Sequence, residues 1–407
     1  VNPLNAANLP QERFAKSSIT DAGSPLPGGL SLAMVAGEAS GDLLAGLLLD
    51  GLRARWPGVL AAGIGGPEMQ ARGFAAWWAH DKLAVNGYGW ELLRRYREIV
   101  GIRRQLKARL LKQRPDLFIG VDAPDFNLDL EASLKASGIK TVHFVSPSVW
   151  AWRAERLAKI RRSVDHVLCL FPFEPALLAQ HGIAATYVGH PLAQRIPLQA
   201  DRPAARLQLG LRPDGPVLAL LPGSRKSEIA HLAVRFFQAA ALVRRELPNV
   251  QCIVPVVPGL RAQVEAAAQA SGMAAHLSIV SGQSHTVLAA CDITLIASGT
   301  ATLEAALFKR AMVIAYHMNG WSWQIMRRKR LQPWVGLPNI LCQEFVVPEL
   351  LQDAATPAAL AQAVLVGLRT EPDQAAALQQ RFFDLHLQLR CDTPTIASYA
   401  IEKVLQA

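Results

Sequence analysis

The sequence predicts an α/β protein of two parallel-sheet halves facing a central cleft, and three observations carry that expectation. From Leu30 onward, short apolar runs alternate with segments of helical spacing, which is the pattern of parallel strands covered by helices on both faces. The alternation pauses over 191–216, a stretch bearing Pro and Arg, and then begins again. Finally, 407 residues with 51% hydrophobic and 18% charged side chains can fill two cores, which excludes disorder over most of the length.

In chain order the elements read as follows. The run 30–36 is a buried strand, the leucines of 43–53 have helical spacing, and 59–64 is a second strand closed by Gly65-Gly66-Pro67. A basic helix over 96–112 leads to a strand at 117–121 ending on Asp122. A helix at 126–136 closed by Gly138, a strand at 141–145, a helix at 153–162 and a strand at 164–170 complete the first half. The second half opens with a strand at 216–221 and continues through 232–245, 251–257, 261–271, 277–280, 287–291, 293–297, 302–308 and 312–317. The tail, 357–407, rich in Ala, Leu and Gln, reads as helical. The domain boundaries expected are a flexible leader at 1–29, a first Rossmann-like domain at 30–197, a second at 198–370, and helices at 371–407 that pack back on the first domain or on a partner subunit.

Lys plus Arg outnumber Asp plus Glu by 42 to 32, a net charge of +10, which favours an anionic partner. The five cysteines are scattered without a C-x-x-C pair, which argues against a zinc site and a disulfide framework and points to a reducing, cytoplasmic compartment. No stretch approaches the ~20 apolar residues of a membrane span, and the first 29 residues lack the apolar centre of a secretion signal.

The chemistry-bearing residues collect in loops that follow strands, where open parallel sheets bind ligands. Gly37-Glu38-Ala39-Ser40-Gly41-Asp42 lets a ligand approach the backbone and a helix N-terminus, and is equally a tight turn capped by Ser40 or Asp42. It lacks the G-x-G-x-x-G spacing of a dinucleotide site. The loop Gly63-Ile64-Gly65-Gly66-Pro67 reads as a turn. In Asp122-Ala123-Pro124-Asp125-Phe126-Asn127, Asp125 suits a helix cap, which leaves Asp122 as the better general base. In 146–153, Trp150 and Trp152 beside Arg153 suit a sugar or an acyl chain as well as they suit core packing.

In the second half, Gly223-Ser224-Arg225 offers free N–H groups and a forked cation for phosphate oxygens. Ala297-Ser298-Gly299-Thr300, before a helix, is a phosphate cradle. Glu304, one turn on from Thr300, is placed to accept from ribose hydroxyls. His190 reads as structural. The segment 90–112 carries Arg94, Arg95, Arg97, Arg103 and Arg104 among Trp90, Leu93, Ile99, Ile102 and Leu106. That pattern suggests a helix lying on an anionic membrane, although a solvated surface helix has the same composition.

With these residues in place, the chain resembles the lipid-A-disaccharide synthase family, bacterial glycosyltransferases of the GT-B fold. The likeness runs from about Leu30 to the end. It rests on AGEASGD (36–42), GIGGPEMQARG (63–73), GVDAPDFN (120–127), VHFVSPSVWAWR (142–153), LFPFEP (170–175), VGHPL (188–192), LLPGSRKSEI (220–229), ASGTATLE (297–304) and LPNIL (337–341). The leader and the Asn86-containing stretch 85–90 depart from the family pattern.

The resemblance implies transfer of 2,3-diacylglucosamine from its UDP derivative to 2,3-diacylglucosamine 1-phosphate (lipid X), with inversion and without a cofactor or a tightly bound metal. It implies Asp122 and Arg225 as the catalytic pair. It places UDP on Gly223, Ser224, Arg225, Glu228, Ser298, Gly299, Thr300, Ala301, Glu304 and Asn339. The sugar side falls to Gly37, Glu38, Ser40, Gly41, Asp42, Ser146 and Trp150. It further implies peripheral attachment to the inner membrane from the cytoplasm, as a monomer or a C-terminally exchanged homodimer. Competing readings are another UDP-sugar GT-B enzyme, of the muramyl pathway or an epimerase, and a nucleic-acid-binding protein. The last lacks any helix-turn-helix, RRM or zinc pattern.

Overall fold

The structure is a computed structural model and describes residues 29–79, 83, 90–150, 155–318, 323 and 331–407, without the side chains of Ala39 and residues 90–96. The leader expected at 1–29 therefore lies almost entirely outside the described residues. The first half runs β1 (Ser31–Ala36), α1 (Ala39–Arg55), β2 (Leu60–Gly65), α2 (Pro67–Gln70), β3 (Ala75–Ala79), α3 (Trp90–Gln113), β4 (Leu117–Val121), α4 (Pro124–Lys135), β5 (Lys140–Phe144), α5 (Arg156–Ser163), β6 (His166–Cys169), α6 (Glu174–Ala179) and β7 (Ala185–Tyr187). Every pairing in this sheet is parallel, in the order β3-β2-β1-β4-β5-β6-β7.

The segment expected to be a plain connector contains two short helices, α7 (Pro191–Arg195) and α8 (Arg202–Gln208). Asp201 starts α8 by accepting from the Ala204 N–H at 2.9 Å. The second half follows as β8 (Val217–Leu221), α9 (Lys226–Glu246), β9 (Gln251–Val256), α10 (Arg261–Ala270), β10 (Leu277–Ser281), α11 (Ser284–Ala290), β11 (Ile293–Ala297), α12 (Thr300–Leu307), β12 (Ala311–Tyr316), α13 (Leu337–Cys342) and β13 (Glu349–Leu351). Its sheet is again parallel, ordered β10-β9-β8-β11-β12-β13. The helices α14 (Pro357–Leu368), α15 (Pro372–Leu389) and α16 (Thr393–Gln406) close the chain.

The sequence reading found the central strands and missed β3, β7 and β13. All three are short edge strands, half-exposed where the central strands are buried on both faces.

The chain passes between the two halves twice, and the two passages lie side by side. On the outward pass His190 N–H donates to the Leu389 carbonyl at 2.9 Å, and Tyr187 Oη donates to that of Gln388 at 2.7 Å. Gly189 has φ +83°, and a Cβ there would sit 2.5 Å from Cys391 Cβ, so only glycine lets the passages touch. Beyond the return, α16 lays Ala397, Ala400, Ile401 and Val404 on the core around Leu48, Leu49 and Leu52 of α1. Arg55 of α1 pairs with Glu402 and stacks over Tyr399, 4.0 Å from the ring centre. The helix α15 stays with the second half, where Phe382, Leu385 and Leu389 are buried.

Gly51 is the contact point of α1 with α16. A Cβ added there would stand 2.2 Å from the Pro394 carbonyl oxygen, a backbone atom with no freedom to move alone. Alanine gains about 1 kcal/mol of helix propensity over glycine, whereas overpacking costs about 1–3 kcal/mol. Gly51→Ala is therefore expected to lower Tm by a few degrees in thermal unfolding. A Tm at or above that of the parent protein would show that α16 is not seated on α1 as described.

Candidate active site

In both sheets the strand order reverses beside the first strand, between β1 and β4 in one and between β8 and β11 in the other. At such a point the loops leaving neighbouring strands turn to opposite faces and leave a crevice at the carboxyl edge. The loops of Asp122 and of Gly37 to Asp42 fall on the first crevice, and those of Arg225 and Thr300 on the second.

At the first crevice, β4 ends at Val121, in register with Ala36 of β1. Asp122 and Ala123 then adopt left-handed backbone, φ 52° and 44°, before Pro124 starts α4. Val145, at the end of the neighbouring β5, has φ 80°. Three non-glycine residues at positive φ around one site hold strain of about 1–3 kcal/mol each, a concentration found where backbone must aim a side chain. Gly37 is buried against this turn, where a Cβ would meet Ala123 Cβ at 3.0 Å.

Underneath, Asn127 is fully buried and donates from Nδ2 to the Asp122 carbonyl at 2.8 Å. Gly120 makes room for this support, because a Cβ there would lie 2.2 Å from Glu131 Oε1 and 2.9 Å from Asn127 Cβ. Glu131 in turn meets His143 Nδ1 at 2.8 Å, both side chains buried. The turn opens on a cavity of ≈ 430 Å³ lined in part by Asp122, Asp125, Ser146, Ser148, Val149 and Arg156. Arg156, unnoticed in the sequence, pairs with Asp125 at 2.6 Å. Its position opening a helix after β5 was the available signal.

At the second crevice, Gly223 has φ +129° and Arg225 is the N-cap of α9. The Glu228 carboxylate reaches back to accept from the N–H groups of Ser224 at 2.8 Å and Arg225 at 3.2 Å, so it shapes the loop from within. The Arg225 guanidinium, 79% exposed, touches Glu228 Oε1 at 3.2 Å. On the adjoining strand, Gly299 with φ +153° caps α12, and open space surrounds the position its Cβ would take. Thr300 is exposed beside it, and the first N–H groups of α12 have no partner within the helix. One turn on, Glu304 Oε2 is 3.6 Å from His285 Nε2 of α11. Tyr316 ends β12 nearby. Burial pushes its hydroxyl pKa up, Glu228 adds to that and Arg225 opposes it, which places all three groups in one field. Sequence reasoning missed His285 and Tyr316, although both occupy the carboxyl edge already singled out.

Several expected site residues turn inward. Asp42 is 2% exposed, and its carboxylate accepts from the N–H groups of Gly66 at 2.7 Å, Glu68 at 2.9 Å and Met69 at 3.2 Å, capping α2. Its oxygens are thus committed to the fold. Asn339 is fully buried, with Val347 and Glu349 satisfying its amide, and it holds α13 on β13. The Ser298 hydroxyl donates to the Val335 carbonyl at 3.0 Å. Glu38 and Ser40 are exposed at the start of α1, and Gly41 is buried with a Cβ position 3.6 Å from the Val121 carbonyl. Ala301 is half-buried in the first turn of α12.

Trp150 resolves toward packing. Its ring lies edge-on to Phe171 and Phe173, and its Nε1 donates to the buried Glu174 at 3.0 Å. Its carbonyl accepts from Gln332 Nε2 of the second half at 2.9 Å, so loops from the carboxyl edges of the two sheets meet here.

In α3, Ile102, Leu106 and Leu110 recur at i, i+4 and i+8 and are buried in the first half's core. The apolar stripe there is the helix's inner face, and two members of the expected membrane surface, Ile102 and Leu106, are removed from it. Arg103 is committed to Asp129 at 3.0 Å, while Arg97 and Arg104 are exposed. The side chains of Trp90, Leu93, Arg94 and Arg95 lie outside the described residues. Among the described residues, no helix is long and apolar enough to cross a membrane.

The model of the lipid-A-disaccharide synthetase family matches residues 32–401. The chain belongs to that family. A lipid-A-disaccharide synthase of Albidiferax ferrireducens is 72% identical over 380 residues, covering 93% of this chain and 98% of the relative. One of Verminephrobacter eiseniae is 65% identical, covering 92% and 97%. The member described here is accordingly a glycosyltransferase of lipid A biosynthesis. Solved structures share the GT-B fold at low identity. A putative UDP-N-acetylglucosamine 2-epimerase from Listeria monocytogenes aligns with TM-score 0.60 at 9% identity, covering 93% of this chain and 96% of its own. The calicheamicin glycosyltransferase CalG4 aligns with TM-score 0.58 at 16% identity, covering 93% and 98%.

The junction between the halves carries two buried titratable groups of opposite sense. Burial raises the Glu174 carboxyl from its ordinary 4.5 to about 7, against the pull of N–H donors from Trp150, Phe171 and Leu170. Burial lowers His190, stacked on Phe171, from 6.5 to about 4. The native state holds the Glu174 proton that the unfolded chain releases, so its contribution is complete below pH 4.5 and is lost as pH rises through about 7. His190 contributes above pH 6.5, and its share is lost as pH falls toward about 4. Unfolding free energy measured against pH for the parent and Glu174→Gln should diverge between pH 4.5 and 7, by a few kcal/mol at most, the parent losing more as pH rises. A constant difference across that window would show Glu174 titrating as a surface carboxylate.

Proposed function

We propose that the two crevices divide one reaction, the transfer of 2,3-diacylglucosamine from UDP-2,3-diacylglucosamine to the 6-hydroxyl of 2,3-diacylglucosamine 1-phosphate. A carboxylate aimed by strained backbone at one switch point, and a cation beside free N–H groups at the other, support this assignment of roles. Asp122 takes the proton of the attacking hydroxyl. The new bond forms at the anomeric carbon from the face opposite the diphosphate, the bond to UDP breaks, and the configuration inverts. Negative charge grows on the departing diphosphate. Arg225, the Gly223-Ser224 backbone and the start of α12 at Gly299, Thr300 and Ala301 are the donors that receive it. Glu304 binds the ribose. Glu228 and Asn339 act one layer back, by holding the loops.

Asp122→Asn and Arg225→Ala separate these roles. Loss of a general base costs ~10²–10⁴ in rate. Asp122→Asn should therefore nearly abolish UDP release while UDP affinity, measured by calorimetry, stays unchanged. Arg225→Ala removes a charge-assisted hydrogen bond of about 1.5–3 kcal/mol and should weaken UDP binding itself. Near-normal turnover in the first variant, or unaltered UDP affinity in the second, would overturn the assignment.

Both substrates carry acyl chains, and we propose that the enzyme meets them by resting on the anionic inner-membrane surface through the outer face of α3. Arg97 and Arg104 are exposed there, in a chain of net charge +10. Each cation near such a surface contributes about 1 kcal/mol, and salt screens the attraction. Sedimentation with phosphatidylglycerol-containing vesicles should carry down the parent protein in a salt-sensitive manner and carry down less of the Arg97→Glu/Arg104→Glu variant. Equal sedimentation of both proteins would reject this surface.

A further inference from the structure

We propose that Arg156 is the phosphate-binding residue of the acceptor pocket and so fixes which end of the acceptor faces Asp122. The inference rests on the acceptor reading above and adds the group that recognises its anionic end. Arg156 is the first residue of α5 and the one cation among the described residues that line the cavity containing Asp122. Its side chain is 16% exposed, and its Nη2 lies 2.6 Å from Asp125 Oδ1.

Asp125 is a weak hold on it. That carboxylate is 84% exposed, and exposed ion pairs gain little over hydration. The neighbouring charges do not need Arg156 either, since Asp129 is met by Lys159 at 2.6 Å and by Arg103 at 3.0 Å. A phosphate monoester entering the cavity offers the guanidinium more charge and a two-oxygen edge that matches its fork. The phosphate displaces the Asp125 carboxylate, which is 84% exposed and turns to solvent, and Asp122, in the same cavity, repels the phosphate. The anionic end of the sugar is thus drawn to Arg156 and driven from Asp122, which leaves a hydroxyl rather than the phosphate for the base. Ser146 and Ser148, on the same lining, supply neutral polar atoms for the ring.

The test compares two acceptors on the full chain, 2,3-diacylglucosamine 1-phosphate and the same diacylglucosamine without phosphate, by steady-state UDP release. The parent protein should prefer the phosphorylated acceptor in kcat/KM by about 10- to 100-fold, the range expected of a hydrogen-bonded charge pair. Arg156→Ala and Arg156→Gln should lose most of that preference through a raised KM for the phosphorylated acceptor, with the unphosphorylated one little changed. Arg156→Lys should keep part of it. Because each variant is its own control, a folding defect depresses both acceptors alike. Equal losses on the two acceptors, or a parent protein indifferent to the phosphate, would overturn the assignment. A parent that transfers to neither acceptor would instead defeat the acceptor reading, and this inference with it.

Discussion

A parallel sheet covered on both faces leaves chemistry no room except at its edges, and this constraint organises the molecule. Strands such as Leu117–Val121 and Ile293–Ala297 are buried from end to end, with no polar side chain but Thr294 to offer a ligand. Their backbone groups are consumed by neighbouring strands. What remains open is the carboxyl edge, and within it the point where strand order reverses and the loops part. Asp122 stands at one such point, and Gly223 to Arg225 with Gly299 and Thr300 at the other. Asp122, Ala123 and Val145 take positive φ at the first point, and Gly223 and Gly299 do so at the second.

That edge is held in shape by buried and half-buried polar side chains. Asn127 fixes the Asp122 turn, Asp42 the loop after β2, Glu228 the Arg225 loop, and Glu349 the 335–339 segment through Val335, Gly336 and Asn339. Each is a side chain answering main-chain donors or acceptors that a turn would otherwise leave unpaired, a debt of about 1–3 kcal/mol apiece when buried. Polar residues close to the site therefore divide into two kinds. Asp122 and Arg156 line the cavity, and Arg225 and Thr300 are exposed at the second crevice. Asp42, Asn339 and Ser298 have their polar atoms engaged within the fold.

The halves are joined through the adjacent passages at 187–196 and 388–393, and not through one linker. Gly189 brings them into contact, and His190, Phe171, Trp150 and Glu174 pack beside them. Gln332 adds a tie from the second half to the Trp150 carbonyl. This junction is dry enough to shift Glu174 and His190 in opposite directions.

Local residue order determined much of this protein. Apolar runs marked the central strands because burial on both faces requires them, and the residue following each run marked the chemistry because strands expose only their ends. The position of Asp122 at the end of a strand in one half and of Arg225 after a strand in the other was legible for that reason, and a run of motifs in a fixed order was enough to bring out the family. Tertiary structure alone decided the rest. The short edge strands β3, β7 and β13, half-exposed and paired on one side only, went unread. Whether a polar side chain faces a ligand or the fold depends on neighbours distant in sequence, which is why Asp42, 24 residues from Gly66, became a cap. It is also why Trp150 became packing and Ile102 and Leu106 became core. Arg156 joins Asp122 on one cavity only through the packing of α5, a juxtaposition of residues 34 apart that no local pattern encodes.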